Sequence, residues 1–265
     1  MIEHYKRLGR LVTDATAQMD GQSPWLVVGA VPIQPRPVEL FPASGDELRR
    51  WLQQHVADWP APIPIASKQP ETYADKLTFV PSRSPGRPAT SYYCELHADG
   101  SALGALQLGT LRDSPTDDSE VWVLGEGAIA WITIALLRLM AAFAHRTMVL
   151  GEAMVLGEAA AEATIIPGAG TAMEVWNHAG SMYGPAGGHR LSEAVSTRRT
   201  IDLARCLSPH LTMTARPLVL DLLRRFGLSG SRHIDPSGVL QRGHFTGFDE
   251  AIRAWADAIG ASSEP

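Results

Sequence analysis

Apolar positions along this chain change period several times, and each change marks an element. Ile2, Tyr5, Leu8, Leu11, Val12, Ala15 and Met19 share one helical stripe, which predicts a helix over 2–19. A turn cluster, Asp20 to Pro24, leads into the nearly continuous apolar run Trp25 to Val31, the pattern of a buried strand. Pro32, Pro35 and Pro37 then end regular pairing. Ser44-Gly45-Asp46-Glu47 is a capping box, in which the Ser oxygen and the Glu carboxylate each satisfy a free backbone N–H. Leu48, Trp51, Leu52, His55, Val56 and Trp59 follow at helical spacing until Pro60 stops them. Past the Pro-rich connector 60–72, strands are expected over 73–80, 91–97 and 102–111. The last two are joined through Asp99-Gly100, a hairpin turn. Segments 81–88 and 112–119 read as exposed loops.

The most apolar stretch, Ala128 to Ala144, predicts a long helix from about Gly127 to Thr147. It is shorter than the ~20 residues of a membrane span and carries Arg138, so it reads as a core helix with no membrane role. The pentapeptide Val149-Leu-Gly-Glu-Ala recurs at Val155, and a related Val123-Leu-Gly-Glu126 precedes the helix. These units are too short and too few for a repeat array, and a local duplication explains them. Segments 163–166 and 172–176 bracket Pro167-Gly-Ala-Gly170 as strand, turn and strand, and a glycine-rich stretch fills 179–188. Helices are then expected from Thr214 to Phe226, with Gly227 as left-handed cap, and from Thr246 through Ile259. The sum is an α+β fold: a largely antiparallel sheet packed against helices, with a helical C-terminal third. It divides into an α/β subdomain over 1–120 and a second part over 121–265, or forms one continuous domain.

Composition narrows the class. With 265 residues, 45% hydrophobic and 19% charged, the chain is an ordinary globular one, not a disordered chain, a coiled coil or a collagen-like repeat. Two cysteines, and an N-terminus without a basic-then-apolar leader, point to the cytoplasm. A net charge of −5 excludes a chain-wide attraction for nucleic acid or anionic membrane. From Arg190 to Arg253, ten Arg face six acidic residues, a local +4 that leaves −9 for the rest. Arg198-Arg199 and Arg224-Arg225 then fall on expected helices, as solvated faces or as a phosphate-contacting face.

Two groups of residues carry candidate chemistry. Cys94-x-x-His97 and Cys206-x-x-x-His210 have spacings that zinc tolerates. Against zinc, an odd separation on a strand turns Cys94 and His97 to opposite faces, and Pro209 disturbs the second pair. Buried thiols with surface histidines are the plainer reading, and no cofactor is otherwise expected. The second group is Asn177, His178, Ser181, Tyr183, His189 and Arg190, in a glycine-rich loop over 176–190. Glycines let backbone approach a ligand, and a following helix N-terminus beside Arg190 would favour an anion or nucleotide. The hydrolase, metalloprotease, P-loop and dinucleotide signatures are missing.

Pro24-Trp-Leu-Val-Val-Gly-Ala-Val-Pro32, with Glu95-Leu-His-Ala-Asp-Gly-Ser101 farther on, resembles the C-terminal region of certain actinobacterial proteins. Those proteins carry an N-terminal Schlafen/AlbA-type DNA-binding domain and are often labelled ATP-binding proteins or regulators. The resemblance covers about the first 110 residues and transfers no functional residue. Any nucleic-acid role that it implies lies outside this chain. The leading expectation is a non-enzymatic intracellular regulatory or binding module, as the sensor or assembly part of a DNA-associated regulator. The apolar helix and seven Trp add an expectation of self-association. The rival reading is an enzyme or ligand-binding domain that uses the 176–190 loop.

Overall fold

The computed structural model describes residues 1–34, 51, 70–80, 91–115, 117, 119–148, 157–179 and 182–265. A seven-stranded antiparallel sheet forms its centre. In chain order the elements leading into it are α1 (Ile2–Thr16), β1 (Trp25–Pro32), β2 (Glu71–Thr72), β3 (Lys76–Phe79), β4 (Tyr92–His97) and β5 (Ala102–Gln107). After β6 (Thr110–Asp113) and β7 (Glu120–Gly125) comes the long helix α2 (Glu126–Met148), then β8 (Glu158–Ile166). β9 (Met173–Ala179), β10 (Met182–Pro185) and β11 (Val195–Asp202) follow. The chain ends with α3 (Leu203–Cys206), α4 (Leu211–Arg225), β12 (Leu240–Gln241), α5 (Asp249–Ile259) and β13 (Ser263–Glu264).

The large sheet runs β11-β8-β1-β5-β4-β3-β2, and β1 is buried along its whole length between β5 and β8. Its alternation supplies both layers of packing. Leu26, Val28 and Ala30 join the core that contains α2, while Trp25 and Val27 pack with Val12 and Ala15 of α1. A continuous apolar strand needs cover on both faces, and helices on either side provide it. α2 is long and apolar enough to cross a membrane by length and composition, yet 78% of its apolar window is buried inside this chain. Most of the surface of that helix is thus used within the fold.

A second sheet, β10-β9-β7-β6, contains the fold's one parallel pair of long strands among the described residues, β7 beside β9. β7 passes into α2 without a loop, so the C-terminal ends of β7 and β9 meet the N-terminus of α2. The candidate site lies at this junction.

Several expectations need correction. The C-terminal third is not all helix, because β10 and β11 belong to the two sheets. Strand, turn and strand do stand around Pro167–Gly170, but the two strands do not pair with each other: β8 lies in the large sheet and β9 in the small one. Arg198 and Arg199 sit on β11, where Glu162 and Asp221 pair with them. α4 begins at Leu211, so Pro217 falls inside it and Thr214 does not cap it. α5 starts at Asp249 rather than Thr246. The large sheet takes strands from both sides of residue 120, so segments 1–120 and 121–265 share it. Gly227 does close α4: at φ +82° it lets its own N–H and that of Leu228 return to the carbonyls of Arg224 and Leu223. The helix expected over 44–59 lies outside the described residues apart from Trp51, which is helical.

Candidate functional site

Glu126 opens α2, and its side chain is 1% exposed. A carboxylate in the first turn of a helix is favoured by the free N–H groups there, but burial at this depth requires further donors. Four are present. The Oε1 atom accepts from Ser231 Oγ (3.0 Å), the Arg232 backbone N–H (2.6 Å) and His233 Nδ1 (3.1 Å). The Oε2 atom accepts from Asn177 Nδ2 at 3.2 Å. Burial alone would raise the Glu126 carboxyl, but the His233 hydrogen bond and charge, with the Arg232 and Asn177 N–H groups, outweigh it and hold it at about 2. The carboxylate thus ties the 231–233 segment and β9 to the start of α2.

His233 is buried and faces acceptors on both sides: Glu126 at Nδ1 and the His244 backbone carbonyl at Nε2, 3.0 Å away. Both contacts are hydrogen bonds when each ring nitrogen carries a hydrogen. The ring meets Phe245 edge-on at 4.5 Å between centroids. Gly127 makes this approach possible, since a Cβ there would fall 2.7 Å from His233 Nε2.

Above this floor lies a cavity of about 230 Å³, walled by Trp131, Trp176, Tyr183, Phe245 and Phe248 together with His178 and His244. Tyr183 stands across the β9–β10 ladder from His178, with ring centroids 4.7 Å apart, and 5.4 Å from Trp176. Burial, followed by the charges of His233 and Arg232, holds the His244 imidazole below its ordinary value, so it is neutral at pH 7. Burial likewise pushes the Tyr183 phenol up. Arg232 anchors the rim by donating to the His178 carbonyl at 3.2 Å.

Of the six residues expected in a ligand site, the structure brings Asn177, His178 and Tyr183 to this cavity. They reach it as a β-hairpin, β9–β10, not as a long loop, and the next element is a strand, so no helix N-terminus follows Arg190. Ser181 lies outside the described residues. Arg190 points elsewhere, to Asp117 (2.7 Å), Ser119 (3.1 Å), Ser114 and Glu174. His189 lies against Gly227 at the end of α4. Sequence reasoning missed Glu126, Ser231, His233 and His244. One signal was available: the Val-Leu-Gly-Glu at 123–126, set aside as a repeat fragment, places a charged residue at the head of the most apolar helix.

The zinc candidates are separated by the fold. Cys94 packs in the α2 core, while His97 bonds Glu95 at 2.9 Å on the other face of β4. Cys206 is buried at the end of α3, and His210 precedes α4. Burial pushes both thiols up, Cys206 to about 12. Among the described residues no group of three or more His, Cys, Asp or Glu could hold a metal ion.

A second buried carboxylate, Glu95, accepts from Lys76, Tyr93 and His97. Burial raises it, but the His97, Lys76 and Tyr93 hydrogen bonds prevail and bring it to about 2. Its charge is compensated by an ammonium 26% exposed, as in a structural ion pair. Comparison with protein-family models, with curated proteins and with solved structures gives no match.

Proposed function

We propose that this chain is a non-enzymatic binding module whose ligand enters the cavity at the N-terminus of α2. One observation carries the reading: three buried polar side chains, Glu126, Asn177 and His233, converge on the floor of an aromatic-walled hollow. Ligand sites combine apolar walls with a few fixed polar groups, and this hollow has that make-up on the scale of one ring system. The rim adds exposed apolar side chains, Tyr183 and Phe248.

The chemistry argues for binding over catalysis. Glu126 on His233 Nδ1 is the orienting half of a Ser-His-acid relay, which needs a nucleophile at Nε2. The His244 carbonyl occupies that position, and Ser231 Oγ bonds the carboxylate instead of the imidazole. The thiols are buried and held protonated. A regulatory, DNA-associated setting is part of the same proposal and rests on the sequence resemblance alone.

Thermal melts of the full chain with millimolar benzylamine, benzyl alcohol or benzoate test the reading. At least one should raise the melting temperature, and the double variant Tyr183→Ala/Phe248→Ala should abolish the rise. No stabilisation by any of the three would refute it.

A further inference from the structure

The hydrogen-bonding capacity left open on the cavity floor specifies the charge of the ligand. Asn177 is 8% exposed and lines the cavity. Its orientation is fixed, because only Nδ2 can donate to the Glu126 carboxylate. That leaves Oδ1 as an acceptor to which nothing among the described residues donates, on a side chain that lines the cavity. Among the described residues Glu126 Oε2 accepts from Asn177 alone, at 3.2 Å, whereas Oε1 already holds three donors. A carboxylate oxygen has about two acceptor directions, so Oε2 has one to offer. The floor therefore presents two open acceptors side by side, on the same side-chain pair.

Among the described residues no Lys or Arg lines the cavity, Arg232 standing at its rim with a hydrogen bond to the His178 carbonyl, and the carboxylate is its one acidic side chain. The walls add one open donor, the buried indole N–H of Trp176. The surrounding rings, Trp131, Trp176, Tyr183, Phe245 and Phe248, present π faces that attract a cation. An anion would have the first N–H groups of α2, but Glu126 sits in that first turn and would repel it.

Resting on the binding-module reading, we propose that the cavity recognises an organic ammonium group, which donates to Asn177 Oδ1 and Glu126 Oε2 while its apolar part lies among the rings. The occupant is a small amine-bearing molecule with one ring or an equivalent apolar group, since the hollow of about 230 Å³ has room for little more.

Isothermal titration of the full chain with benzylamine, benzyl alcohol and benzoate separates the possibilities, because the three have similar shape and differ in charge. Benzylamine should bind saturably and at least about tenfold more tightly than the alcohol, with benzoate weakest. Asn177→Ala should weaken benzylamine about tenfold and leave the alcohol nearly unchanged. Since Asn177 also supports Glu126, circular dichroism melts accompany that variant. Tyr183→Leu at the exposed rim, which removes one ring and no floor contact, should weaken benzylamine about threefold. Equal or tighter binding of the alcohol or benzoate would overturn the ammonium assignment and leave the binding-module reading standing. No binding of any of the three would overturn both.

Discussion

Replacing Glu126 with Gln removes one charge from the centre of the site and keeps its shape. The carboxylate holds Ser231, Arg232, His233 and Asn177 at once, and it is almost fully buried. The amide of Gln can accept at one atom only, so it turns a donor toward either Asn177 or the 231–233 segment, and it leaves His233 facing an uncharged partner. Leaving a buried donor without its acceptor costs about 1–3 kcal/mol. The carboxyl itself gives a similar figure: lowering from an ordinary 4.5 to about 2 corresponds to about 3 kcal/mol of native stability. Urea denaturation at pH 7, followed by circular dichroism, should therefore show E126Q destabilised by about 3 kcal/mol, a fall in Tm of about 6–12 °C for a chain of this size. The pH dependence has a definite sign. A depressed carboxyl contributes fully above its unfolded value and loses that contribution as pH falls through about 2. Wild type and E126Q should therefore converge in stability between pH 4.5 and pH 2. Comparing the two cancels Glu95, which titrates over the same range. A loss below about 1 kcal/mol at pH 7, the range of an exposed pair, would refute the reasoning.

Gly127→Ala should destabilise by about 1–3 kcal/mol in the same assay, because its Cβ would meet His233 Nε2, whereas Gly to Ala in a helix otherwise stabilises by up to about 1 kcal/mol; the sign is the test. Gly227→Ala, at φ +82°, should cost about 1–2 kcal/mol through strain at the end of α4, measured by thermal melts. Cys94 and Cys206 should resist an aromatic disulfide reagent in the native protein and react fully in denaturant; fast native labelling, or stoichiometric zinc protecting them, would contradict the burial described. Arg190→Ala should speed proteolytic cleavage within 114–119, since Arg190 bonds Ser114, Asp117 and Ser119 together.

Elements with one strong period were legible in the sequence. The α1 stripe, the continuous apolar β1, the Asp99-Gly100 hairpin and the long α2 all stand where local pattern places them. The misread elements depend on distant partners. The run Met173 to Trp176 reads as strand, but the residues after it are followed by glycines and read as loop; the strand continues to Ala179 because β10 folds back on it. Arg198 and Arg199 suit an exposed helix as well as an edge strand, and pairing with β8 decides between them. Half of the site was visible in Asn177, His178 and Tyr183. Glu126 and His233 are 107 positions apart, and no spacing rule links two such residues before the chain has folded.

The most direct measurement is a benzylamine titration of the nitrogen-15-labelled chain, followed by nuclear magnetic resonance. The side-chain amide of Asn177, the backbone amide of Gly127 and the indole N–H groups of Trp131 and Trp176 should shift together and saturate at one common concentration. An Asn177 amide unmoved at saturation would contradict the account.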